Sequence, residues 1–139
     1  MTGDGIAEAT ASDEAAVIAL WETCGLTRPW NPPAADFRRA LSGDASAVLV
    51  LRQSGAITGS VMVGDDGHRG WVYYLAVAPD RRRGGAGRAL MAAAEAWLRV
   101  RGAPKLQLMV RDSNDAARGF YEALGFDVQP VTVFGRFLG

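Results

Sequence analysis

Arg81, Arg82, Arg83 and Arg88 fall within eight positions and surround Gly84, Gly85, Ala86 and Gly87. The stretch lies where an apolar extended run, Trp71 to Val77, gives way to a helical pattern that starts at Ala86. At the start of a helix the first amides have no internal acceptor, and the helix dipole favours an anion. Glycine lets phosphate oxygens come close to backbone N–H groups and arginine adds charge, so the segment reads as a seat for a small anionic ligand. Turn glycines with solvated arginines would produce the same letters. A nucleoside-triphosphate loop is excluded because Gly-Lys-Ser/Thr is absent. A dinucleotide fold would place the glycines after the first strand of a parallel set, whereas here they follow an antiparallel meander.

The second constellation is Asn114-x-x-Ala117-x-x-Phe120-Tyr121-Glu122-x-x-Gly125-Phe126. It reads as a helix with Asn114 at the N-cap, Ala117, Phe120 and Leu124 towards a core, and Gly125 at the end. Tyr121 is either an amphipathic core tyrosine or a proton donor. Elsewhere, His68 is the only histidine and stands in the turn Asp65-Asp66-Gly67-His68-Arg69-Gly70, where it is either a solvent-exposed turn residue or a catalytic one. Cys24, the only cysteine, lies on an apolar helix face with no histidine nearby in sequence, as a core thiol would. In the loop Leu26-Thr27-Arg28-Pro29-Trp30-Asn31-Pro32-Pro33, Trp30 either folds back on the core or serves an acceptor site; Arg28 there would suit an acceptor bearing a carboxylate or phosphate.

The elements that must position these groups are legible from period and punctuation. A short strand runs near Ile6 to Ala9, and Thr10-x-x-Asp13 reads as a capping box. The following helix carries Val17, Leu20, Trp21 and Cys24 on one face and stops at Gly25; a shorter helix covers Ala34 to Leu41. Strands are expected at Ala47 to Leu51, Ile57 to Val63 and Trp71 to Val77, then a helix from Ala86 to Arg101, a strand from Leu106 to Val110, a helix from Asn114 to Leu124 and a last strand from Val131 to Leu138. The helix after Val77 is long enough for a crossover between parallel strands. The fold class is α/β: a mixed, mostly antiparallel sheet of six or seven strands flanked by about four helices, in one domain over residues 1–139.

Arg82-x-x-Gly85-x-Gly87, led in by Leu75-Ala76-Val77-Ala78-Pro79, resembles the pyrophosphate-binding signature of the GNAT superfamily of N-acetyltransferases. The overlapping register Arg81-x-x-Gly84-x-Ala86 also fits, but the first keeps Pro79 and Leu90 at the family's spacing. The Asn114–Phe126 stretch resembles the family's C-terminal helix motif, and the likeness covers the chain in element order. Arg28-Pro29-Trp30-Asn31, Asp66-Gly67-His68-Arg69-Gly70 and Tyr73-Tyr74-Leu75 look like the small bacterial YpeA-like subgroup.

The resemblance implies an enzyme that moves an acetyl group from acetyl-CoA directly to an amine, with no metal. It implies that the strand ending at Val77 splays from its neighbour and that the coenzyme meets Leu75, Ala76, Val77, Arg82, Arg83, Gly84, Gly85, Ala86, Gly87, Arg88 and Asn114. It gives Tyr121 the role of acid towards the coenzyme's sulfur. Many relatives carry a glutamate on the strand occupied here by Tyr73 and Tyr74; none stands there in this chain. His68, Asp65 or Asp66 acting through water, or an amine that arrives neutral, are the remaining sources of a nucleophile. Arg28, Trp30, Asn31, His68 and Tyr73 are the candidates for the acceptor side, the acceptor being a small-molecule or protein amine. A coenzyme A-binding module without turnover, an enzyme for longer acyl chains, and an interaction domain whose glycines are only caps share parts of this pattern.

Composition agrees with a compact globular domain. The 139 residues are 49% hydrophobic, enough for a core at this length. Formal net charge is zero, so no general field draws the chain to nucleic acid or to a membrane. A single cysteine precludes an internal disulfide. The N-terminus has neither a basic n-region nor a long apolar run, which is unlike a secretory signal, and the expected location is the cytoplasm. Monomer and homodimer are both compatible with the sequence.

Overall fold

The computed structural model describes residues 4–139. By internal packing the chain divides into two compact units, Met1–Met109 and Val110–Gly139, and each is considered by itself.

The first unit holds a five-stranded sheet in the order β1-β2-β3-β4-β5, with β1 Gly5–Glu8, β2 Ser46–Gln53, β3 Ala56–Asp65, β4 Gly70–Val77 and β5 Leu106–Gln107. The first four are antiparallel neighbours, whereas β5 is parallel to β4. That parallel step is made by the crossover helix α3, Ala86–Val100. Between β1 and β2 come α1, Glu14–Thr23, and α2, Pro33–Leu41, the latter with proline in its first turn. The second unit holds α4, Asp115–Ala123. The fold is the mixed α/β sheet with four α-helices that the sequence implies, with fewer strands than six or seven.

Two of the expected strands differ. The run Leu106 to Val110 joins the sheet only at Leu106 and Gln107, because β5 pairs with β4 at Gly70 and Trp71 and then leaves it. No strand forms over Val131 to Leu138 among the described residues. Alternating apolar side chains confer β propensity, but a strand exists only where a neighbour supplies its hydrogen bonds.

Helix ends follow the local signals. Asp13 accepts a hydrogen bond from the Thr10 amide at 2.9 Å, so the expected cap initiates a 3₁₀ turn, Ala11–Asp13, that runs into α1. Asp13 also takes an ion pair from Arg52 of β2 at 2.8 Å, which the cap reading had not foreseen. The Arg52 guanidinium is the main reason the Asp13 carboxyl lies below its usual range, against the opposing effect of burial.

One core cluster packs α1 and α2 on the sheet through Val17, Trp21, Phe37, Val48 and Val50. Helix α3 comes closer to the sheet than a side chain would allow. A Cβ at Gly70 would stand 2.5 Å from the Leu98 side chain, and one at Gly59 would stand 2.8 Å from Leu90. Leu90 and Leu98 are both buried, so these glycines set the height of α3 over β3 and β4 and thereby place its N-terminus beyond the end of β4.

Candidate active site

Strand β4 ends at Val77, and a short 3₁₀ turn, Pro79–Arg81, leads into the arginine-glycine segment and α3. Gly85 is the N-cap with φ +84°, a left-handed conformation that glycine adopts at no steric cost. Ala89 is the first residue whose amide reaches back along the helix, to the Gly85 carbonyl at 3.0 Å. The amides of Ala86, Gly87 and Arg88 therefore precede the first intrahelical bond. Arg81, Arg82, Arg83 and Arg88 are exposed, and among the described residues none of them is ion-paired. Unpaired cations around a helix start with free amides suit a phosphate-bearing ligand.

The end of β4 is irregular. Its ladder with β3 slips between Ser60 and Met62, so Tyr74 and Leu75 lie opposite the single residue Val61. On its other side β4 has no β5 partner beyond Trp71. The splay that the resemblance implied is thus present, and the bulge falls beside Leu75, Ala76 and Val77.

Tyr74, in the bulge, has φ +54°. A bulky residue in that region costs about 1–3 kcal/mol and persists only where its surroundings hold it. Here the ring stacks on Trp21 with centroids 3.9 Å apart and planes within 9°. Trp21 is itself fixed by a buried hydrogen bond from Nε1 to Ser60 Oγ at 3.0 Å. The Tyr74 hydroxyl donates to Asp36 Oδ2 at 2.7 Å and accepts from Asn31 Nδ2 at 3.3 Å. Burial first, and the Asp36 carboxylate second, hold this phenol far above its ordinary pKa.

Sequence reasoning missed Asp36 and Tyr74. Period-2 alternation assigns Tyr73 and Tyr74 to opposite faces, and nothing local marks the bulge that re-aims one of them. Cys24, read as a core thiol, is half-buried against the core cluster and also reaches the loop. Its Sγ donates to the Val77 carbonyl at 3.4 Å and lies 3.6 Å from Arg82 Nη2, while Arg82 Nε donates to the same carbonyl at 3.2 Å.

The acceptor-side candidates divide. Trp30 is 57% exposed and so is not folded into the core. Arg28 Nη1 donates to the carbonyls of Gly25 and Thr27, which shapes the loop, and Asn31 reaches Tyr74 as above. Tyr73 lines a cavity of about 180 Å³ between α2 and the sheet, together with Asp36, Arg39, Ser46, Met62 and Val63.

His68 is not brought near them. Its turn stands at the Gly70 end of β4, seven residues or about 23 Å from Val77 at the usual rise per residue. Asp65 Oδ1 accepts from the Gly67 amide at 2.9 Å. Asp66 Oδ1 accepts from the amides of His68 and Arg69, and its Oδ2 accepts from Trp71 Nε1 at 3.1 Å. The Arg69 amide is the largest cause of the lowered Asp66 pKa. These carboxylates build the turn, and the larger cavity they border with Asp44 and Arg101, about 680 Å³, lies at the end of β4 remote from the loop. Among the described residues no group of three or more His, Cys, Asp or Glu side chains is arranged to hold a metal ion.

In the second unit Asn114 caps α4 as expected, its Oδ1 accepting from the Ala117 amide at 3.0 Å. The helix closes with Gly125 N–H to Glu122 O and Phe126 N–H to Tyr121 O, both at 3.0 Å, the paired bonds of a glycine-terminated helix. The Tyr121 ring meets Phe120 edge-on at 5.0 Å and Phe126 at 5.8 Å. Burial pushes its phenol up to about 12, so it is protonated at neutral pH.

Comparison with known proteins bears on the whole arrangement. The chain is 50% identical to an acetyltransferase of Yersinia enterocolitica over 90% of its own length and 89% of that protein's. It superposes on the crystal structure of the ribosomal-protein-S18-alanine N-acetyltransferase of Escherichia coli with a TM-score of 0.76 and 27% identity, covering 90% of this chain and 78% of that one. An aminoglycoside N-acetyltransferase solved with coenzyme A has the same fold, with a TM-score of 0.80 at 18% identity over 97% of this chain and all of the other, 100%. Residues 15–126, which include both the glycine loop and Tyr121, match the acetyltransferase (GNAT) family. The chain belongs to that family of acetyltransferases.

Proposed function

We propose that the protein transfers an acetyl group from acetyl-CoA directly to an amine, as a single N-acetyltransferase domain over residues 1–139. The observation that carries this reading is the end of β4: a bulged strand with no β5 partner beyond Trp71, followed by free helix amides and four arginines that make no ion pair among the described residues, in the register of the family's pyrophosphate motif.

Acetyl-CoA, when bound, supplies a thioester, an activated acyl group on a thiol leaving group. The amides of Ala86, Gly87 and Arg88, with Arg82, Arg83, Gly84 and Gly85, hold the pyrophosphate. The backbone of Leu75, Ala76 and Val77 receives the pantetheine arm and polarises the thioester carbonyl. The Asn114 carboxamide has its oxygen committed to the helix cap, which leaves its N–H₂ as the donor towards the arm. Tyr121 gives its proton to the sulfur as the thiol departs, a role suited to a phenol that burial keeps protonated. Direct transfer is favoured over an acylated Cys24 because no histidine base stands beside that thiol, His68 being at the other end of β4.

Binding to the native state alone raises melting temperature. Saturating coenzyme A or acetyl-CoA should therefore raise the Tm by several degrees, and Gly87→Leu should abolish the rise by blocking approach of the pyrophosphate. An unchanged Tm in the parent protein overturns the reading.

A further inference from the structure

We propose that the acceptor is a compact amino-carboxylate zwitterion, in its simplest form an α-amino acid, with its ammonium on Asp36 and its carboxylate on Arg39. This rests on the acetyl-transfer reading and extends it to the acceptor.

Both side chains line the cavity of about 180 Å³ between α2 and the sheet. They are three residues apart on one helix, about 4.5 Å along its axis, and so share a face. Yet no ion pair joins them among the described residues. The ion pair that α2 does make runs from its other arginine, Arg38, to Glu14 at 2.7 Å. Asp36 is held in place through Oδ2 by the Tyr74 hydroxyl at 2.7 Å, which leaves Oδ1 available to a ligand. Arg39 is exposed and lines the same space.

Met62, Val63, Tyr73 and Ser46 line the rest of the cavity, which is mostly apolar. The cavity is small, about 180 Å³, which suits a compact acceptor such as an amino acid. Charge narrows the class further. A monoamine leaves Arg39 without a counter-ion, a polyamine sets a second cation against it, and a peptide N-terminus has no carboxylate beside its amine. An α-amino acid satisfies both ends at once.

The orientation is also determined. Asp36 is bonded to the bulge residue Tyr74, adjoining Leu75 to Val77, whereas Arg39 lies one turn along α2, towards Ser46, which pairs with Gly64 further up the sheet. The ammonium end is therefore the one beside the bulge; it loses one proton to solvent to become the neutral nucleophile, and the second proton nitrogen loses on amide formation balances the one Tyr121 gives to the departing sulfur.

The test measures thiol release from acetyl-CoA with each proteinogenic amino acid, its methyl ester and its decarboxylated amine. In parallel, the same amino acids are titrated calorimetrically into protein saturated with coenzyme A. At least one amino acid should bind and raise thiol release above the acceptor-free rate, and its ester and amine should lose about tenfold or more in kcat/KM. Arg39→Gln should erase the difference between acid and ester. Asp36→Asn, which keeps an acceptor for the Tyr74 hydroxyl, should raise the acceptor KM about tenfold. Both variants should keep the coenzyme-induced rise in Tm, which also shows that they fold. A parent protein that shows that rise but neither binds nor acetylates any amino acid overturns the inference and leaves the acetyl-transfer reading standing. Esters as good as acids overturn it too. A parent without the rise overturns both.

Discussion

The unit Met1–Met109 and the unit Val110–Gly139 are held by contacts of different range. In the first, the groups that matter meet across long stretches of sequence: Trp21 with Ser60, Tyr74 with Asp36, Arg52 with Asp13. In the second, Asn114 caps three residues ahead, and Tyr121 packs against its neighbour Phe120 and against Phe126. No residue of α4 is fully buried, whereas Val17, Trp21 and Phe37 in the first unit are wholly inaccessible. A side chain such as Tyr121 in the second unit is thus placed by local rules, and one such as Tyr74 in the first by ladder register and packing. Changes in the second unit should therefore act on rate with little loss of stability, and changes in the first should act through the fold.

The largest expected effect tests the first half of that contrast. Tyr121→Phe keeps the ring and its edge-on contacts and deletes only the hydroxyl proposed as the proton donor. It should lower kcat by about 10²–10⁴ with Tm and acetyl-CoA affinity nearly unchanged, measured with an acceptor for which chemistry limits the rate. Because burial raises this phenol to about 12, the parent's activity should show no alkaline loss from this group near pH 10, where free tyrosine ionises. Near-full kcat in the phenylalanine variant would reduce Tyr121 to a packing residue.

Next in size is Arg52→Met, which leaves the mostly buried Asp13 without its cation. Denaturant unfolding should register a loss of about 2 kcal/mol at neutral pH. The Asp13 carboxyl is depressed in the folded state, so the pair's stabilisation is present above the unfolded value near ~3.9 and disappears as pH falls through the folded one. Lowering the pH from about 4 should therefore destabilise the parent more than Asp13→Asn. Equal acid sensitivity of the two would show that the pair contributes nothing.

The smallest effect concerns the cap of α4. Asn114→Ala removes the acceptor for the Ala117 amide and should cost about 1 kcal/mol. It should also raise the KM for acetyl-CoA if the side-chain amide meets the pantetheine arm. A stability loss as large as that of Arg52→Met would break the contrast between the units.

Much of this molecule follows from its sequence. The helix N-cap at Asn114, the glycine stops at Gly25 and Gly125, the turn at Asp65 to Gly70 and the strand–loop–helix passage through Arg82 and Gly85 all sit within a residue or two of their expected places. Each depends on interactions that span at most a few residues, so residue type and spacing suffice to dictate it. The loop proposed to hold an anion was legible for the same reason, since free amides come with every helix start and the glycines and arginines are adjacent in the chain.

Other features depended on the tertiary structure. Alternation along Trp71 to Val77 predicts a regular strand, but opposing Tyr74 and Leu75 to Val61 reverses the sides on which the following residues lie. That slip carries a strained tyrosine onto Trp21 and its hydroxyl onto a carboxylate 38 residues away. Apolar pattern likewise extended β5 to Val110 and proposed a strand from Val131, because propensity is a property of the residue while pairing requires a partner edge. The bulge, the parting of β4 from β5 and the cavity beneath α2 arise where chain segments distant in sequence compete for the same hydrogen bonds and the same space, and no window of neighbouring residues contains that competition.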